Sequence, residues 1–245
     1  MPLPIRLKTD LILDTVFEVR FTSNVETADL LPGIVFPTLK VTGPINRLPL
    51  AEVPAAARRA DPNFRGPLFK ADWGKHYVAV GDGLVAIGCN RPYPGWAAFR
   101  EAIREVCGIV SNVAVDVERY SLKYVDMLPT KNSAESVEKF NLSISVGKKD
   151  LVDQTYLLRM EIPNDDLINV VQVIGDATAV RPDGQQSKGA VLDIDTVFLA
   201  RDALTYGKFL EELTERVDRM HTLNKEMFFA CLKDTTIDEL GPEYA

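Results

Sequence analysis

Between residues 113 and 200 the chain passes through five β-branched segments, roughly 113 to 127, 140 to 147, 154 to 163, 167 to 180 and 190 to 200. Turn chemistry separates them: Gly147-Lys148-Lys149-Asp150, Pro163-Asn164-Asp165-Asp166 and the polar loop RPDGQQSKG from Arg181 to Gly189. Strands in succession joined by such links pair antiparallel, because a parallel pair needs a crossover of a dozen or more residues. A doubly wound nucleotide-binding fold is therefore disfavoured.

The N-terminal half adds a strand over about 9 to 22. Alternation puts Leu11, Leu13, Thr15, Phe17, Val19 and Phe21 on one side, and Asp14, Glu18 and Arg20 on the other. The Pro-rich stretch from Leu31 to Pro67 sustains neither period and reads as irregular structure with short elements. Within it, PAAARRADPNFRGP sets Arg58, Arg59 and Arg65 on a solvated basic loop. In WGKHYVAVGDGLVAIGCN, Asp82-Gly83 between strand-like runs predicts a hairpin. Its glycines lead into a second strand rather than a helix, so they form no phosphate cradle.

After Pro94 and Gly95, the spacing of Trp96, Phe99, Ile103, Val106 and Val110 predicts an amphipathic helix. A second helical pattern covers about 203 to 232, where Tyr206, Leu210, Leu213, Val217, Met220, Asn224, Met227 and Cys231 step by four and three. Unbroken, it would span about 45 Å. Asn224 interrupts the apolar seam: it sets register in a coiled coil, or it marks a bend or exposed end near His221 to Asn224. Thr236 to Leu240 form a last short turn before Gly241-Pro242.

The fold class is thus α+β, an antiparallel sheet packed by an amphipathic helix and a long C-terminal helix. The organisation is one domain with two lobes, 1–112 and 113–245. Each runs strands first and then a helix, without a residue-level repeat.

A formal charge of -7 opposes a wide nucleic-acid surface and leaves room only for a local basic groove. Cys89, Cys107 and Cys231 are far apart and outside any metal-ligand spacing, so a reduced setting is expected rather than a disulfide framework. MPLPIRLKTD holds no apolar segment followed by a small-residue cleavage site, and no run resembles a membrane span. The expected location is the cytoplasm, away from the membrane.

Charged residues of both signs recur on strands whose other faces are apolar: Glu18 with Arg20, Arg119 with Lys123, Arg159 with Glu161, and Asp193 with Asp195. They form cross-strand pairs on a solvated face, or a concave surface where Glu18, Arg20, Arg119, Lys123 and Arg159 receive an anionic or peptide ligand. Glu161, Asp193 and Asp195 are weak candidates for a divalent metal. The two histidines sit in no HExxH or His-x-His pattern and no GxSxG elbow occurs, so no catalytic residue is nominated and no cofactor is expected. A Ser or Cys nucleophile meeting His76 in space stays open. On the last helix Val217, Met220, His221, Asn224, Met227 and Phe228 are the candidate interface.

VFEVRF, YPGWAAF, RYSLKYVD, LDID and MHTLNKEMF occur in this order over most of the chain. With them the chain resembles a sporadically distributed bacterial family of about this length, which has no established activity. The family commonly carries an Arg-Tyr-hydrophobic-Asn run where this chain has Lys123-Tyr124-Val125-Asp126. Its usual Asn-Trp-Arg stretch before Tyr-Pro appears only as Cys89-Asn90-Arg91. A lysine forfeits the bidentate geometry of arginine, which weakens an anion-clamp role. The family's patchy occurrence implies an accessory gene, of a defence or mobile-element system, with a protein partner encoded nearby. The expected function is a non-enzymatic binding or assembly module that self-associates or binds that partner. The alternatives are a metal-dependent nucleotide or nucleic-acid-processing enzyme, and a chaperone-like or antitoxin-like peptide binder.

Overall fold

The computed structural model describes residues 3–61, 64–143, 145–150, 155–180 and 186–244. Residues 62 and 63 of the expected basic loop, Ile144 of the second expected strand of that series, Gln154 of the third and 181–185 of the polar loop lie outside the described residues, as does the side chain of Arg59.

In chain order the elements are β1 (Arg6–Leu7), β2 (Ile12–Phe21), α1 (Thr27–Thr38), β3 (Asn46–Arg47), a short 3-10 turn (Pro49–Glu52), α2 (Ala55–Ala60), β4 (Pro67–Trp73), β5 (His76–Gly81), β6 (Leu84–Cys89), α3 (Trp96–Val110), β7 (Asp116–Pro129), α4 (Ser133–Lys139), β8 (Ser145–Val146), β9 (Lys149–Asp150), β10 (Leu157–Asn164), β11 (Leu167–Val180), β12 (Gln186–Thr205), α5 (Tyr206–Glu211), α6 (Leu213–Cys231), α7 (Asp234–Glu239) and β13 (Pro242–Glu243). The principal sheet is antiparallel, with strand order β10-β11-β12-β7-β2-β6-β5-β4-β3. The fold is α+β, as the strand succession implies. Among the described residues no helix is long and apolar enough to cross a membrane.

The chain divides into two compact units that interleave in sequence. One holds 14–122 and 197–220; the other holds 1–13, 123–196 and 221–245. The order of elements along the sequence predicts a single division, after residue 112. The long strands β2, β7 and β12 instead each give residues to both units.

In the 14–122/197–220 unit, Thr15, Phe17, Val19 and Phe21 are buried, as alternation on β2 requires. The β5–β6 hairpin closes on Asp82-Gly83, with Gly81 opposite Leu84 and Gly83 at φ +59°, a left-handed conformation that glycine adopts without steric cost. Helix α3 buries Phe99, Ile103, Val106 and Val110 and packs on α1, β6 and α5.

Helix α1 corrects the irregular reading at its start, over 31–38, while β3, the 3-10 turn and α2 are short elements of the kind expected beyond it. Two prolines, Pro32 and Pro37, lie inside it, and an interior proline costs about 3 kcal/mol. Burial of Ala28, Leu31, Val35 and Phe36 at helical spacing offsets that cost, since each large apolar side chain contributes roughly 1.5–3 kcal/mol. The basic loop is likewise corrected. Arg58 sits on α2, is only 8% exposed, and donates to Asp82 at 2.8 Å and to the Val53 carbonyl.

In the other unit, Val171 and Val173 of β11 and Ala190, Leu192 and Ile194 of β12 form a core with Phe140, Leu232 and Leu240. Helix α4, absent from the sequence reading, starts at a reciprocal cap: Asn132 accepts from the Glu135 N–H, and the Glu135 carboxylate accepts from the Lys131 N–H. The expected single helix over 203 to 232 is instead strand to Thr205, then α5, a one-residue interruption at Glu212, and α6. The 19 residues of α6 span about 28 Å.

Candidate functional site

The polar side of β2 is satisfied within the chain. Glu18 accepts from Arg20 Nε at 2.8 Å and from Arg119 at 2.7 Å across to β7. Beside it, Val16, Ala79, Leu84 and Ala86 make a small apolar cluster. Tyr77 lies over Gly88, donates its hydroxyl to Asp14 at 3.1 Å and carries Lys70 Nζ 3.4 Å above its ring centre. Burial, then the charge of Asp14, pushes the Tyr77 hydroxyl pKa far above its ordinary value. Arg20, Arg119 and Glu18 therefore form an ion-paired patch.

In the other unit, Lys123 Nζ is 3.0 Å from Asp193, which also accepts from Gln172 at 3.3 Å. Arg159 pairs with Glu161 at 2.7 Å along β10. Among the described residues no group of three His, Cys, Asp or Glu side chains is placed to hold a metal ion. The candidate set Glu161, Asp193 and Asp195 is corrected accordingly: its first two members neutralise Arg159 and Lys123.

The candidate interface is corrected as well. Val217 and Met220 are fully buried in the 14–122/197–220 unit. Asn224, buried in the other, donates to the Ile194 carbonyl at 2.9 Å and the Thr196 hydroxyl at 3.1 Å. His221 lies 6.1 Å from the Tyr124 ring, and Met227 and Phe228 pack on the β11–β12 core. The seam of α6 docks on its own sheet. Asn224 is neither a coiled-coil register residue nor an exposed end.

His76 faces Cys89 across the β5–β6 ladder, a juxtaposition invisible in sequence. Burial pushes the Cys89 thiol up to about 12, reinforced by the charge of Asp14, while burial lowers the His76 imidazole below its ordinary value. Both shifts disfavour a thiolate–imidazolium pair, the activated form of such a nucleophile.

A cleft of about 770 Å³ opens beside the start of α1. Its arginines are paired too: Arg58 with Asp82, Arg65 with Glu118 at 3.1 Å, and Arg47 with Glu52 at 3.0 Å.

Among the described residues, backbone capacity is left at the β10 end of the principal sheet. β10 ends the strand order, with β11 on its inner side and, among the described residues, no strand on its outer side. The Gly175 N–H donates to the Tyr156 carbonyl at 3.0 Å, in the same register that pairs Leu157 with Ile174 and Asn164 with Leu167. Antiparallel alternation then directs the backbone groups of Leu158, Met160 and Ile162 inward to β11, and those of Leu157, Arg159, Glu161 and Pro163 outward. Leu157, Met160 and Ile162 are 62%, 43% and 36% exposed. Met160 lies opposite the fully buried Val171, and Ile162 opposite the buried Asn169, so the core face of the sheet runs on to an uncovered apolar margin. The pattern over 154 to 163 predicts this strand, but its edge position follows from a strand order that no local pattern encodes.

The chain matches no protein-family model and no curated protein sequence.

Proposed function

We propose that this chain is a non-enzymatic binding and assembly module of the cytoplasm that self-associates by strand addition at β10. The observation that carries the reading is the eight-residue edge strand with outward backbone groups and exposed Leu157, Met160 and Ile162 beside them. Long edges template pairing with another chain; Arg159, Glu161 and Pro163 temper this one, yet the two charges neutralise each other at 2.7 Å and Leu157, Met160 and Ile162 stay exposed. Strand addition uses the edge N–H and C=O groups for affinity and alternate side chains for selectivity. The pairing of Glu18, Arg20, Arg119, Lys123 and Arg159 with residues of this chain favours the same reading over an anion site. An accessory-system role, with the partner encoded nearby, is what the family resemblance contributes.

Replacing Glu161 by proline tests the reading. Its N–H points outward, so proline removes an edge donor while leaving the β10–β11 ladder intact. Light scattering of the wild-type protein is expected to give an assembly heavier than the 27.2 kDa chain, and the variant to lose it. A wild-type mass of one chain at every concentration, with the outward amides of Leu157, Arg159 and Glu161 unprotected in hydrogen exchange, overturns it.

A further inference from the structure

We infer that the strand added at β10 is the β10 of a second copy, paired antiparallel about a two-fold axis through Met160; this rests on the reading of β10 as the assembly edge. Register favours this pairing. Centred on Met160, antiparallel pairing places Arg159 of each copy opposite Glu161 of the other, Leu158 opposite Ile162, and Met160 opposite itself. Two cross-strand ion pairs then form on one face, where opposite charges attract. On the other, the exposed Met160 and Ile162 side chains of both copies meet beside Leu158, which already packs on the core.

Backbone directions agree. Arg159 and Glu161 both point their N–H and C=O groups outward, so each cross-copy Arg159–Glu161 pair exchanges two hydrogen bonds. The Leu157 N–H meets the partner's Pro163 carbonyl, and only the proline, with no N–H, leaves a bond unmade at each end. Neighbouring symmetric registers are rejected by charge. A slip of one step brings Arg159 opposite Arg159, and a slip the other way brings Glu161 opposite Glu161. The closed two-fold contact uses the same patch on both copies, as an isologous dimer requires.

Charge exchange provides the test. Arg159→Glu alone places glutamates opposite each other and Glu161→Arg alone places arginines opposite each other. Each is expected to weaken dimerisation by on the order of tenfold or more. An equimolar mixture of the two single variants is expected to regain the wild-type dimer mass, because each glutamate then faces an arginine. Repulsion along each strand persists in that mixture, so recovery reports contact across the axis. Circular dichroism of each variant confirms the fold. If Glu161→Pro dissolves the wild-type assembly but the charge variants leave it unchanged, or their mixture stays dissociated, the Met160-centred pairing is overturned and the assembly edge stands. A wild-type protein that is monomeric throughout overturns both.

Discussion

Asn224 donates its side-chain amide to the Thr196 hydroxyl at 3.1 Å, and Thr196 passes a hydrogen bond on to Asn169 at 2.7 Å. All three are buried, in the core between α6, β12 and β11. Polar groups so placed are costly unless satisfied, and here each has its partner. Asn224→Leu removes the donor to both Thr196 and the Ile194 carbonyl and is expected to destabilise the fold by about 1–3 kcal/mol. Urea unfolding measures the loss. The mass in solution is expected to stay unchanged, and a change of mass would contradict this placement of Asn224.

Asp126 on β7 gives a pH dependence with a definite sign. Burial, then the charges of Asp10 and Asp193, pushes its carboxyl up from 3.8 to about 7. Between those values the folded state holds a proton that the unfolded state has lost, so stability falls as pH rises. The slope reaches about 1.4 kcal/mol per pH unit and levels off above the folded pKa. Asp126→Asn is expected to flatten that fall, so that the variant gains on the wild type from about pH 5 to about pH 8. Unfolding midpoints that move in parallel at both pH values would refute it.

The packing of Tyr77 over Gly88 makes that glycine a close-approach position. An added Cβ would collide with the ring of Tyr77. Gly88→Ala is expected to cost roughly 1–3 kcal/mol by overpacking. In a Tyr77→Ala background the same change is expected to cost much less, and the double-mutant cycle reads the difference.

Burial raises all three thiols, Cys89 and Cys107 to about 12 and Cys231 to about 11. Thiolate is the reactive species. An aromatic disulfide reagent at about pH 8 is therefore expected to label no cysteine in the folded protein and all three after denaturation. Rapid labelling of the folded protein would show that one of them is activated.

The local elements are legible along the chain. Alternation through Thr15, Phe17, Val19 and Phe21, the Asp82-Gly83 turn and the three-and-four spacing from Trp96 to Val110 are short-range patterns. They decide a backbone conformation wherever one face is buried, and together they imply an antiparallel α+β fold. The Asn132–Glu135 cap was also legible there, as a start signal for α4 that the strand pattern around it masked. The remaining features depend on which element lies beside which. Helix α1 runs through Pro32 because a core receives Leu31, Val35 and Phe36. Glu18 meets Arg119 because β7 lies beside β2, and Asn224 is buried because β12 offers it Thr196. β10 is an edge because the strand order ends there. Each of these rests on contacts between residues distant in sequence, whose energy appears only when the sheet assembles, so no window along the chain carries its signal.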